Sequence, residues 1–192
     1  MASYAWDQDV AQFLHMDAAG TSDFGAVIAA IGAGVQGQME NFIARTLGVE
    51  EYDEYYDGRD RNRLFLRHDP VVSVSSLVIN GTAKVVATPA TAGCVISGGR
   101  ESLLLIDGSF FPWGLQNIHV VYKAGIDTAS GDGQAFVRAA SMWIAQIFKN
   151  RDNLGRSSIV RASGQQDNFM KELPDYVKSA IVHLQRAAVP TC

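Results

Sequence analysis

The chain has 192 residues and a formal net charge of −4 at pH 7, an acidic balance that excludes a nucleic-acid binder built on a basic domain. Hydrophobic residues make up 47% and charged residues 19%, so the length supports one domain with an elaborated insert, a sizeable core and a sparsely charged surface. Cys94 and Cys192 are the only cysteines, which excludes a disulfide framework and favours a reducing compartment.

Residues 7–14 carry a short helical pattern, with Trp6, Val10, Phe13 and Leu14 on one side. The N-terminal stretch MASYAWDQDVAQF has neither a basic region nor an apolar core, so no signal peptide is expected. No apolar run approaches 18 residues, so no membrane span is expected either. A turn with Thr21 or Ser22 as N-cap leads into the longest helical pattern, 22–47, and Gly48 stands as its glycine cap. Gly25, Gly32, Gly34 and Gly37 each cost a helix interior about 1 kcal/mol relative to Ala. Close packing must offset that, or the helix breaks between 32 and 37.

Residues 50–61 read as a charged, tyrosine-rich loop. A β insert then covers 63–124. Leu64 and Leu66 alternate as a strand, and Pro70 makes it either an edge strand or two separate strands. In 71–79, Val72 and Val74 take one face and Leu77 and Ile79 the other, with Ser75-Ser76 as a candidate bulge. Asn80-Gly81 is a hairpin turn, with Val85 and Val86 on the return strand. A second hairpin turns at 97–100, between 94–96 and 102–106. After an FFPWG step, Ile118, Val120 and Tyr122 alternate as a further strand.

A helix over 134–150 follows, with Phe136, Ala140, Trp143, Ile144, Ile147 and Phe148 as its apolar face. Residues 150–166 are polar and glycine-dotted, the composition of a mobile linker. A last helix starts at Pro174, with Val177, Ala180, Ile181 and Leu184 as its stripe. The domain reading is thus a core over 1–150 and a flexible segment with a C-terminal helix over 151–192. The fold class is α+β: a small helical bundle with an antiparallel β-hairpin insert.

Three patterns suggest chemistry. Residues 32–37 spell GxGxxG, a dinucleotide cradle if a strand precedes it and a helix begins there. The helical period instead starts before the glycines and runs through them, and no βαβ unit follows. Asp53, Asp57 and Gly58 suggest a calcium loop, but Tyr55 and Leu64 stand where oxygen ligands belong. His15, His68, His119 and His183 are dispersed, with no metal-ligand spacing. No nucleophile elbow occurs. The residues single out no catalytic group, cofactor or metal ligand, and a nucleotide-binding enzyme using residues 32–37 stays open as the alternative from a different class.

Partner contacts are the remaining reading. Arg151, Arg156, Arg161 and Lys171 outnumber the acids in their segment and suit an acidic surface or DNA, against the plainer reading of a solvated linker. Tyr55, Tyr56, Trp113 and Tyr176 are aromatic candidates for interface cores, against packing on the chain's own core.

The order along the chain carries a resemblance. The stretch 56–81, YDGRDRNRLFLRHDPVVSVSSLVING, is followed by FFPWG, IHVVYKAG, a helix ending FKNRDNLG, and LPDYVKSAIVHLQR. This order resembles the head–tail connector (adaptor) proteins of tailed bacteriophages, in their longer form with a β insert, over nearly the whole chain. The resemblance implies a structural virion protein, made in the host cytoplasm and placed in the head–tail neck. Its subunits form a homo-oligomeric ring, typically of twelve, beneath the portal protein. The ring offers a surface to the next neck or tail protein and continues the channel through which genomic DNA passes as cargo. It implies no cofactor, no membrane and no catalysis, and gives residues 150–192 a role in reaching the portal. Another neck or tail-completion ring protein is the neighbouring alternative.

Overall fold

The structure is a computed structural model and describes residues 4–16, 18–86, 93–150, 158–160, 166–168 and 173–186. In chain order its elements are α1 (Asp7–Leu14), α2 (Ala18–Ile43), β1 (Glu50–Gly58), β2 (Arg63–Phe65), β3 (Val71–Ile79), β4 (Thr82–Ala83), β5 (Cys94–Ile96) and β6 (Ser102–Leu105). Then follow β7 (Gly114–Ala124), α3 (Gly131–Lys149), β8 (Ser158–Val160), β9 (Gln166–Asn168) and α4 (Asp175–Ile181), which ends in a 3-10 turn, Val182–Leu184. The α+β class expected from the sequence is present. The chain divides into two compact units, a β unit over residues 45–127 and a helical unit built from the segments on either side of it.

In the helical unit, α3 packs on α1, α2 and α4. Its stripe is the one periodicity predicts: Phe136, Ala140, Trp143, Ile144 and Phe148 are buried. Ser130 caps its start by accepting the Gly133 N–H at 3.0 Å. Val177, Ile181 and Leu184 bury one face of α4 and its 3-10 turn, while Ala180 stays exposed. The backbone N–H of Arg186 then closes on the Ile43 carbonyl at 2.9 Å.

α2 differs from expectation at both ends. It starts at Ala18, so Thr21 and Ser22 lie inside it rather than capping it. It stops at Ile43, and Ala44 takes the left-handed conformation (φ 56°). The cause is tertiary: Thr46 and Gly48 pair with Ile126, through Ile126 N–H to the Thr46 carbonyl at 2.9 Å and Gly48 N–H to the Ile126 carbonyl at 2.8 Å. That ladder takes residues 46–48 away from the helix, so Gly48 is not its cap.

The glycines of α2 do not break it. A methyl group on Gly32 would collide with the indole of Trp6, which is fully buried. Gly32 is therefore the close approach that lets the N-terminal segment lie against α2. Gly25, Gly34 and Gly37 face open space.

The β unit contains two sheets. One has the order β1-β7-β3-β4 and the other β2-β6-β5, with all neighbours antiparallel. Their inward side chains form one core, including Leu64, Leu66, Leu77, Leu103, Leu105, Phe111, Ile118 and Val120. Pro70 separates β2 and β3 into different sheets. β3 carries two register shifts, between Val71 and Ser73 and between Val74 and Ser76. They turn Val71, Leu77 and Ile79 inward and leave Val72 exposed, so Val72 and Val74 do not share a face. Asn80-Gly81 makes the expected turn, but the return strand is Thr82–Ala83, and Val85 is exposed. The hairpin of β5 and β6 is as expected.

The largest departure is β1. Residues 50–58 are a strand paired along its length with β7, from Glu50↔Ala124 to Gly58↔Gly114. They are not a loop. Of the proposed linker 150–166, residues 158–160 pair with 166–168 as a two-stranded antiparallel ladder; the rest lies outside the described residues, apart from Asn150.

Two glycines in one helix then behave oppositely. Gly32→Ala gains helix propensity but must displace Trp6, a net loss of about 1–3 kcal/mol. Gly34→Ala meets nothing and should gain about 0.5–1 kcal/mol. Urea unfolding of both variants against the parent chain measures the contrast.

Candidate interaction surface

The inward face of β1 is polar. Glu50, Tyr52, Glu54 and Tyr56 alternate toward the core side, where Tyr56 meets Tyr122 of β7. The Glu54 carboxylate accepts hydrogen bonds from the Tyr56 hydroxyl and, at 2.7 Å, from the Tyr122 hydroxyl. Arg67 Nη1 lies 3.4 Å from its other oxygen and His68 Nε2 3.8 Å from it. The two phenol oxygens are 3.1 Å apart. They also accept the backbone N–H groups of Arg67 (3.0 Å, Tyr56) and His68 (3.3 Å, Tyr122). The Arg67 guanidinium lies 5.0 Å from the centre of the Tyr56 ring, and the His68 imidazole stacks on Tyr52 at 3.8 Å. Next along the chain, buried Asp69 pairs with Arg45.

Burial pushes the Glu54 carboxyl up. The two tyrosine hydroxyls, with the positive charge of His68 and Arg67, more than offset it, and the group ends below its ordinary value of 4.5. Burial and the carboxylate push Tyr56 up to about 12, and Tyr122 rises further for the same reasons together with its contact to Tyr56. The phenol hydroxyls donate to Glu54, and their oxygens in turn hold the backbone N–H groups of residues 67 and 68 to the sheet. The cluster is a structural clamp without a general acid or base poised for a substrate. Burial likewise raises the thiol of Cys94 to about 11, the state of an inert core cysteine.

The GxGxxG residues 32–37 lie inside α2, where their N–H groups serve the helix and no helix N-terminus exists to receive a phosphate. Asp53 and Asp57 lie on a strand, and among the described residues no cluster of three metal-ligating side chains forms.

The partner candidates distribute as follows. Tyr55 is exposed on the outer face of β1 and stacks on His119, whose Nε2 is 2.6 Å from Asp53 Oδ1. Tyr56 is buried in the clamp. Tyr176 is exposed on α4 and donates its hydroxyl to Gln146 at 2.8 Å. Trp113 is 77% exposed. Arg151, Arg156, Arg161 and Lys171 lie outside the described residues.

Phe110, Phe111 and Trp113 stand out in the sequence as aromatics between predicted elements; Leu115 and the anchoring of the backbone beneath them do not. Phe111 is buried and pairs with Arg61, while Phe110 (60% exposed), Trp113 and Leu115 (86%) project outward. The backbone beneath them is held by side chains far away in sequence. Asp60 accepts the Trp113 N–H at 2.8 Å, and Asp57 accepts the Gln116 N–H at 2.7 Å. Asn117 accepts the Gly58 N–H at 2.9 Å and donates to the Pro112 carbonyl at 2.9 Å and to Asn80 at 3.1 Å. The Pro112 carbonyl fills the space a Cβ on Gly58 would need. Leu115 is the second residue of β7 and is exposed there, and no local pattern in the sequence marks it.

A pH series tests the clamp. Because the Glu54 carboxyl is depressed in the folded state, its contribution is complete above about pH 4.5 and is lost as pH falls through the folded value. The parent's stability advantage over Glu54→Gln should therefore be present at pH 7 and shrink as pH falls below the ordinary value of 4.5. The raised tyrosines act at the other end: their contribution is complete below their ordinary value of 10 and falls as pH climbs through about 12. Tyr122→Phe removes a buried donor to the carboxylate and should cost about 1–3 kcal/mol in urea unfolding at pH 7.

No family model and no curated protein matches the chain. Solved structures do. The chain is similar to a chain described as the neck of an empty GTA (gene transfer agent) particle computed with C6 symmetry, with a TM-score of 0.62 and 16% identity, covering 98% of this chain and 94% of that one. A chain from the neck of a native GTA particle computed with C12 symmetry gives a TM-score of 0.59 at the same identity and coverage. A chain from the virion of the native GTA particle gives 0.54 at 16% identity, covering 86% and 79%. At this identity the likeness establishes the fold.

Proposed function

We propose that this chain is a structural protein of the virion neck of a phage-like particle, not an enzyme. Twelve copies form a ring that joins the portal to the next neck or tail protein and continues the DNA channel. The observation that carries the reading is coverage: a two-unit α+β fold matches neck chains over 98% of its own length. The symmetry stated for those necks, C6 and C12, is that of rings.

The surface of α2 supports assembly. From Phe24 to Met39 the sequence has no charged residue. Yet Phe24, Ala26, Val27, Ala29, Ala30, Ala33, Gly34 and Gln38 are exposed. A helix that is apolar on its outer face as well as its inner one is built to be covered. The net charge of −4 suits a conduit through which DNA slides, since like charge gives phosphates no purchase. No helix among the described residues is long and apolar enough to cross a membrane.

Arg151, Arg156, Arg161 and Lys171 are the residues we assign to portal docking, in the segment between α3 and α4. A truncation after Gln166 cannot test this, because it removes the buried face of α4. Charge reversal can. The parent protein mixed with portal-bearing particles should image as a ring stacked on the portal. The quadruple change of those residues to Glu should weaken that docking at least about tenfold while leaving thermal unfolding unchanged. A parent chain that stays monomeric and indifferent to the portal overturns the proposed function; docking unchanged by the reversal overturns the residue assignment alone.

A further inference from the structure

Building on the ring reading, we infer that the knob of Phe110, Trp113 and Leu115 is a subunit contact, and that its receptor is a groove on the helical unit of the neighbouring copy. A ring that closes by head-to-tail contacts needs two different, complementary patches on one chain. The knob is one of them. Its apolar side chains are exposed at 60%, 77% and 86%, on a backbone pinned by Asp57, Asp60 and Asn117. A solvated loop has no use for such anchoring. A contact residue has: a rigid aromatic loses little conformational freedom when it docks, and tryptophan is the residue most enriched among interface hot spots.

The second patch lies between α1 and α3. Phe13, Met142, Ala145, Gln146, Lys149 and Asn150 line an open groove of about 490 Å³. Its floor and walls include Phe13 and Met142, both large and both exposed. A thioether and a ring at the mouth of a groove suit an aromatic ligand, because methionine adapts its shape and sulfur contacts ring edges favourably. An indole and an adjacent leucine fit that volume.

Charge selects the pairing. Asp57 and Asp60 flank the knob, each accepting a backbone N–H, with the exposed Arg59 and Arg61 in the same stretch. Lys149 stands at the groove, in the last turn of α3. The groove lining carries Lys149 and no acid, so knob against groove gives the carboxylates of Asp57 and Asp60 a cation, whereas knob against knob sets one mixed-charge patch against its own copy. The first contact is heterologous and propagates around a ring; the second is a two-fold contact and would stop at a dimer. The three knob side chains are the centre of such a contact, whose full area of about 800 Å² per partner must include flanking surface.

Two measurements test the pairing. In a Cys192→Ser background, one copy carries Leu115→Cys and another Met142→Cys; Cys94 is buried and inert. A short bis-maleimide should link the mixture and neither variant alone, and a chain carrying both changes should give a ladder of linked copies. Second, Trp113→Ala should raise the protein concentration needed for half assembly at least about tenfold. Its monomer should melt as the parent does, because the side chain is exposed. If the parent forms rings but the mixture does not link, or Leu115→Cys links to itself, the knob-and-groove contact is wrong and the ring reading stands. An unchanged assembly concentration for Trp113→Ala also overturns the contact. A parent that never assembles, on portal-bearing particles included, removes both readings together.

Discussion

A carboxylate held where an apolar side chain would normally sit organises the β unit. Glu54 is carried on a strand whose inward positions are Glu50, Tyr52, Glu54 and Tyr56, and it is mostly withdrawn from water. Withdrawing a charge costs several kcal/mol unless partners replace the solvent. Here Tyr56 and Tyr122 donate to it, Arg67 brings positive charge, His68 lies 3.8 Å away, and the phenol oxygens accept the two N–H groups of residues 67 and 68. The network fixes the register of β1 on β7. It also ties down the segment between β2 and β3 through the N–H groups of Arg67 and His68. Remove the carboxylate and both tyrosines lose an acceptor at once, which is why the cluster acts as a unit.

That arrangement also explains what the sequence conceals. β1 reads EEYDEYYDG, and hydropathy alternation is invisible when the inward residues are glutamates and tyrosines. Its partners are 66 and 68 positions away, at Tyr122, so no local pattern reports them. By contrast α1, α3 and the β5–β6 hairpin follow from periodicity and turn chemistry alone, because their burial is carried by apolar side chains. The ends of α2 were misplaced for a related reason: a ladder with Ile126 outcompetes the helix after Ile43, and local propensity contains no term for it. The exposed knob was half legible. Trp113 stands out in a loop, but its rigidity comes from Asp57 and Asp60, which the sequence places in what looks like a separate acidic stretch.

The two units use their side chains differently. Within the β unit, polar side chains fix backbone geometry, as Asp57, Asp60 and Asn117 do around residues 112–116. Within the helical unit, α2 keeps a face of alanines and glycines that costs helix stability without filling a core: Gly34 and Gly37 have nothing near them. Alanine at either position would gain about 1 kcal/mol of helix propensity, so their smallness serves no packing within the described residues.

The outer face of the main sheet completes the picture electrostatically. Glu51, Asp53, Tyr55 and Asp57 project from β1 and meet Lys123 and His119 of β7, an excess of negative charge on an exposed sheet. The arginines at 59, 61 and 63 follow immediately in the chain and are exposed as well, so both signs occur within one short stretch. A surface made this way does not bind a polyanion over an extended path, because phosphate contacts gain affinity only by neutralising several charges in a row. It does discriminate between protein surfaces, where like charges placed together are penalised and opposite ones set the register. The charge pattern of this stretch thus favours selective contact with proteins over capture of nucleic acid.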